Sequence, residues 1–173
     1  MIELVSTSLD HTVAIGRRLG ELAEAGDVVA LDGELGAGKT QFVRGLADGL
    51  GLDPTQVSSP TFVFMHEYSA EDEHGHPIDD DPKRPVLVHI DAYRITSTSD
   101  LATLGYDDEL RRTSVTAVEW AKLIAAAPGN PLGEDRLHVE IRHANDNQRQ
   151  INLNPHGRWA DHLTKLKTLA PGP

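Results

Sequence analysis

The sequence contains no cysteine, which excludes a disulfide framework, a thiolate metal centre and a cysteine nucleophile. That absence predicts a reducing, cytoplasmic setting. No apolar run approaches the ~20 residues that a bilayer-spanning helix requires, and the opening MIELVSTSLDHTVAIG has no basic region followed by an apolar stretch. Neither a membrane span nor export is expected. No internal repeat or clear linker divides the chain. A single domain over residues 1–173 is therefore expected, with 39% apolar residues to fill one core. Positive charge is also in short supply, with 16 basic against 27 acidic side chains and a net charge of -11. Nucleic-acid binding draws on phosphate neutralisation, so the chain alone is a poor candidate for it, and a basic partner would have to supply that face.

What the sequence does have is a sequence of α and β signals around one glycine-rich stretch. Ile15, Leu19 and Leu22 recur at helical spacing between Thr12 and Ala25, with Gly26 as a stop. DVVALDG then reads as a strand buried on both faces. TQFVRGLADGL places Phe42, Val43, Leu46 and Leu50 on one helical face, and SSPTFVFMHEY reads as extended. RPVLVHIDAYR contains a buried strand ending near Asp91. STSDLATLGYDDELRR reads as one or two short helices with Ser97 or Ser99 as N-cap, and SVTAVEW as another strand. RLHVEIRH and QRQINLN alternate like a hairpin, and Trp159, Leu163 and Leu166 mark a last helical stripe. The sum is α/β with a mixed sheet. Residues 69–84, SAEDEHGHPIDDDPKR, are acidic without apolar period and read as an exposed loop.

Between the first strand and the helix after it lies GELGAGKT, which fits G-x-x-x-x-G-K-[ST] with Gly33, Gly38, Lys39 and Thr40 in the fixed positions. Small residues let successive backbone N–H groups converge on phosphates. Lys39 can bridge the β- and γ-phosphates, Thr40 can offer its hydroxyl to Mg²⁺, and the helix N-terminus adds partial positive charge. A phosphate cradle still needs acids for the metal and the water. Asp91 closes VLVHID and Glu119 closes VTAVE, each at the carboxyl end of a buried strand, the edge of an open α/β sheet where ligands collect. Spacing alone leaves open which of the two touches the metal. Thr61, stiffened by the preceding Pro60, is placed to approach a γ-phosphate as switch-loop threonines do.

GELGAGKT, SSPTF, HIDAYR and VEW occur in an order and spacing that resemble the bacterial TsaE (YjeE) ATPases, from the first helix to about Trp120. The resemblance implies a P-loop NTPase-like three-layer α/β fold, with a mixed, mainly parallel sheet and an antiparallel C-terminal hairpin. It implies slow, Mg²⁺-dependent ATP hydrolysis coupled to the TsaD and TsaB proteins, which form threonylcarbamoyladenosine next to the anticodon of tRNA, so that tRNA is met only indirectly. Carried onto this chain, Leu35, Gly36, Ala37, Gly38, Lys39, Thr40 and Gln41 would wrap the nucleotide, and Thr40 and Glu119 would hold Mg²⁺. Asp91 would bind metal-bound water or orient the nucleophile, with Thr61 near the γ-phosphate and Trp120 close to the site.

Arg142 and Arg149 remain as further candidates for nucleotide contact. His66, His74 and His76 near Asp79, Asp80 and Asp81 read as a solvated loop rather than a metal site, because metal ligands need fixed geometry. A small-molecule kinase would need an arginine-rich lid, and the stretch available for one is acidic. A guanine-selective switch would carry N-K-x-D, which the sequence lacks.

Overall fold

In the computed structural model, residues 1–60, 64–71, 85–95, 97–125 and 131–161 are described. Thr61, residues 72–84 of the acidic loop, and Leu163 and Leu166 lie outside them. A seven-stranded sheet organises the rest. In chain order its strands are β1 (Ile2–Ser6), β2 (Val28–Asp32), β3 (Met65–Tyr68), β4 (Leu87–Asp91), β5 (Val115–Glu119), β6 (Arg136–His143) and β7 (Arg149–Pro155). Their spatial order is β1-β7-β6-β2-β5-β4-β3. The central run β6-β2-β5-β4 is parallel, and antiparallel pairings of β3 with β4, β6 with β7 and β1 with β7 flank it. This is the mixed sheet with a C-terminal hairpin expected from the sequence. Strands β2, β4 and β5 are buried at every position, which explains their near-continuous apolar runs.

Helices α1 (Leu9–Gly20) and α2 (Lys39–Gly49) cover one face of the sheet. The short helices α3 (Thr98–Thr103), α4 (Asp108–Thr113) and α5 (Lys122–Ala125) lie toward the other, where Ile90, Val118, Leu101 and Ile124 form a second core cluster. Three layers result. A last short helix, α6 (Arg158–Asp161), places the fully buried Trp159 in the α1–α2 core.

Two sequence expectations are corrected. The first strand was not anticipated: Ile2, Leu4 and Ser6 face the core while Glu3 and Val5 are exposed, so five alternating residues suffice for an edge strand once β7 offers a partner. The first helix also begins earlier and ends earlier than Thr12–Ala25. Ser8 caps it, its Oγ accepting the His11 N–H at 3.0 Å, a contact worth about 1 kcal/mol. Beyond Gly20, the Asp27 carboxylate accepts the Glu24 N–H at 2.8 Å and bends the chain into β2. Ser97 does cap α3, in a reciprocal box with Asp100.

Helices α1 and α2 touch backbone to backbone. A Cβ built at Gly16 or Gly20 would fall inside the carbonyl oxygens of Phe42 and Leu46, and one at Gly45 or Gly49 inside those of Val13 and Arg17. Four glycines, two per helix at four-residue spacing, thus permit the close crossing. Its consequence is positional, because α2 begins at Lys39 and its N-terminus is held by that contact.

Candidate functional site

Strand β2 ends at Asp32, and the chain must then turn sharply past β6. At Gly33, with φ +155°, a Cβ would collide with the Ile141 carbonyl oxygen, so only glycine passes. Gly36 (φ +77°) and Gly38 (φ +111°) take left-handed conformations, and Gly38 stands at the N-cap of α2. A Cβ at Gly36 would meet nothing within 4 Å, so the loop opens onto free space there. Ala37 is fully buried under the loop, whereas Leu35 projects outward, 88% exposed.

The parallel pairing of β4 with β5 sets Asp91 directly beside Glu119, and the pairing of β5 with β2 sets Glu119 beside Leu31, just below the loop. Both acids lie on the α2 face, each about 5% exposed or less. The Thr40 hydroxyl donates to Glu119 Oε1 at 2.8 Å. His89, fully buried two residues before Asp91, places Nε2 3.0 Å from the same oxygen. Since a carboxylate only accepts, His89 donates there, and its Nδ1 finds no partner among the described residues. Burial alone would raise the Glu119 carboxyl, but hydrogen bonding and attraction from His89, the Thr40 hydroxyl and the Lys39 ammonium outweigh it, and the group is held below its ordinary value. Asp91 uses Oδ1 to accept the Tyr93 N–H at 2.9 Å, so it also caps the 3₁₀ turn that follows its strand.

Lys39 donates to the carbonyls of Gly33 at 2.8 Å and Glu34 at 3.0 Å, and its Nζ stands 3.9 Å from the centroid of the Trp120 ring. Burial lowers its pKa, against the opposing pull of Glu119, Asp91 and Asp32. Trp120 reaches this position through a left-handed backbone, φ +61°, that Gly would adopt freely. Two anchors hold that turn, Ala121 N–H to the Leu31 carbonyl at 3.2 Å and Lys122 N–H to Asp32 Oδ1 at 3.1 Å. Tyr93 packs against Trp120 with centroids 5.3 Å apart and remains 62% exposed.

These groups line one cleft of about 780 Å³, which takes in Leu35, Gly36, Gly38, Lys39, Thr40, Gln41, Asp91, Glu119 and Trp120 together with Tyr93 and Arg149. The fold thus gathers the sequence candidates from four separate segments. Gln41 also accepts from Arg44 Nη1 at 3.4 Å. Thr61 lies outside the described residues. Arg142 is not part of the cleft wall; it is drawn to Glu140 at 3.0 Å. Among the described residues no group of three or more His, Asp or Glu side chains is arranged to hold a metal, and His66 instead bonds Tyr68 Oη at 3.1 Å. A second cavity, about 810 Å³, opens at the opposite edge of the sheet, but Arg111 and Arg158 in its wall are already paired with Asp108 and Asp27, both at 3.0 Å.

Against known proteins, the family described as threonylcarbamoyl adenosine biosynthesis protein TsaE matches residues 6–151. The chain belongs to the TsaE family. It is 38% identical over 142 residues to the tRNA threonylcarbamoyladenosine biosynthesis protein TsaE of Bacillus subtilis, covering 82% of this chain and 78% of that one. To the TsaE of Streptomyces coelicolor it is 41% identical over 152 residues, covering 84% and 92%. The crystal structure of Bacillus subtilis YdiB superposes with a TM-score of 0.68 at 28% identity over 96% of this chain and 94% of the other. The family is therefore one of tRNA threonylcarbamoyladenosine biosynthesis, and the fold is of P-loop type.

His89 and Tyr93 are site residues that the sequence analysis does not single out, as are Leu9 and Ser59 in the cleft wall. His89 and Tyr93 both stand inside HIDAYR, two residues either side of Asp91. The alternation of a strand places His89 on the same face as Asp91, so its position, though not its bond to Glu119, was legible in the sequence.

Proposed function

We propose that the cleft binds ATP with Mg²⁺ and hydrolyses it, in a cycle coupled to the TsaD and TsaB proteins during threonylcarbamoyladenosine formation on tRNA. The observation that carries this reading is the 2.8 Å bond between Thr40 and Glu119 at the N-terminus of α2, directly after a loop whose glycines leave room for phosphate. The donor set fits the metal. A threonine hydroxyl and two carboxylates are hard oxygen ligands suited to Mg²⁺, which keeps several waters and needs no enclosed protein cage. Bound there, Mg²⁺ would neutralise charge on the phosphate oxygens as the terminal bond breaks.

The residues of the chain have distinct tasks in this reading. Glu119 Oε1 accepts the Thr40 hydroxyl hydrogen and so turns the threonine lone pairs toward the cleft. His89 fixes that carboxylate from below. Lys39, held over Trp120, brings a cation to the phosphates, and the N–H groups of Gly36 and of Gly38 to Thr40 bind their oxygens, while that of Ala37 closes the loop on the Glu34 carbonyl at 3.1 Å. Asp91 orients the attacking water and accepts its hydrogen bond. Tyr93 and Trp120 offer the aromatic wall on which a base can stack. The net charge of -11 supports an indirect relation to tRNA, with the partner proteins carrying the RNA-binding face.

The test is a titration with ATP and GTP in Mg²⁺, followed by hydrolysis assays with and without TsaD and TsaB. Lys39→Ala and Glu119→Ala serve as controls. ATP-selective turnover that requires both residues and changes with the partners is expected. Preference for GTP, or turnover indifferent to the partners, would overturn the proposal.

A further inference from the structure

Among the charged residues described in the cleft wall, Lys39, Asp91, Glu119 and Arg149, the last is the one to which the proposed mechanism gives no task. It opens β7, pairing in register with Ser6 of β1 and His143 of β6, so the tip of the β6–β7 hairpin brings it to the same sheet edge as the glycine loop. It is only 8% exposed. Among the described residues its guanidinium meets carbonyl oxygens alone. Nε donates to the Ala37 carbonyl at 3.2 Å, and Nη1 donates to those of Asp146 at 3.2 Å and Gln148 at 3.4 Å. A cation this deeply buried is costly unless negative charge compensates it, and three neutral carbonyls supply only partial charge.

The bond to Ala37 has a geometric consequence. The peptide joining Ala37 to Gly38 is trans and planar, since the described backbone contains no cis bond. Its C=O and N–H therefore point in opposite directions. A donor that fixes the Ala37 carbonyl fixes the Gly38 N–H as well. Gly38 is the N-cap of α2 with φ +111°, a residue whose lack of Cβ leaves its peptide unusually free to rotate. Lys39 restrains the other limb of the loop through the Gly33 and Glu34 carbonyls, so the loop is held from two sides by two cations.

We propose that Arg149 is a positioning residue of the phosphate cradle: from the C-terminal hairpin it sets the orientation of the Ala37–Gly38 peptide and adds a fixed positive charge to the cleft. This rests on the nucleotide reading of the site. Arginine is suited to it because its planar fork holds several carbonyls in one geometry, whereas lysine supplies the charge without the fork.

Arg149→Met and Arg149→Lys are compared with the wild type by two measurements: affinity for ATP and for adenosine, and the backbone amide signal of Gly38 in the nucleotide-free protein. Arg149→Met is expected to weaken ATP by about tenfold or more and to leave adenosine within about twofold, because only the phosphates feel the loop. Arg149→Lys is expected to recover part of the ATP affinity while the Gly38 signal stays displaced. Unchanged ATP affinity in folded Arg149→Met, or an equal loss of ATP and adenosine, would overturn the proposal. If Arg149→Met does not fold, an Arg149→Lys protein with wild-type ATP affinity and an unmoved Gly38 signal overturns it equally. A wild-type protein that binds no ATP would instead overturn the reading of the site, and an unmoved Gly38 signal in the variants would separately overturn the loop-setting role.

Discussion

Replacing Gly45 by alanine sets two physical effects against each other. Helix propensity favours the change by about 1 kcal/mol in a helix interior. Packing opposes it, since a Cβ at Gly45 would overlap the Val13 carbonyl and also crowd the Arg17 N at 2.8 Å. All of these neighbours are backbone, so no side-chain rotation relieves the clash. Helices α1 and α2 must separate, by about 1 Å, in an interior packed as densely as a crystal. Overpacking of this kind costs about 1–3 kcal/mol and more where the backbone itself must move. Taken at its upper end of about 3 kcal/mol because only backbone atoms can yield, the packing cost less the propensity gain leaves an expected net loss of about 2 kcal/mol. For a domain of this size that lowers Tm by about 4–8 °C. Thermal unfolding followed by circular dichroism, with a denaturant titration for the free energy, measures it. A Gly45→Ala protein as stable as the wild type, or more so, would refute the close-contact account and leave propensity as the deciding term.

Other outcomes follow from the same contacts. His89→Leu should destabilise by about 1–2 kcal/mol, since the buried charge-assisted bond to Glu119 outweighs relief of the unpartnered Nδ1; equal denaturant midpoints would contradict this. Glu140 bonds Lys122 at 2.7 Å and Arg142 at 3.0 Å, which hold its carboxyl down to about 2 from an ordinary 4.5 against a smaller effect of burial. Its folded pKa is depressed, so its contribution to stability is complete above about pH 4.5 and is lost as pH falls toward 2. Glu140→Gln should flatten the stability profile across that window, and an unaltered acid limb would count against the pairing. Trp120 lies against Lys39 in the cleft and Trp159 is buried in the core, so an emission change on adding ATP should vanish in Trp120→Phe. Its survival there would place the reporting tryptophan elsewhere.

Much of the site was legible because its chemistry is local in sequence. Gly33, Gly38, Lys39 and Thr40 announce a loop and a helix start within eight residues, and Asp91 and Glu119 each end an apolar run that could only be a buried strand. The first strand escaped because its five residues acquire meaning only from β7, almost a whole chain away. The end of the first helix escaped because Leu22 continues the apolar spacing although the helix itself stops at Gly20, before the turn that Asp27 closes on Glu24. His89 escaped because a lone histidine in an apolar strand reads equally as core, and only its 3.0 Å approach to Glu119 separates the two cases.

By itself the sequence determined the main α and β elements from the first helix to the C-terminal hairpin, the glycine-rich loop with its acids, and the family, since each depends on residue type and short-range spacing. Tertiary structure alone decided that Asp91 and Glu119 stand side by side and that Thr40 shares an oxygen with His89. It also decided that Arg149 reaches Ala37 from the opposite end of the chain, and that four glycines let α1 press on α2. Strand register and helix contact set these distances. Both arise from burying two faces of one sheet at once, a condition on the whole chain that no short stretch of it carries.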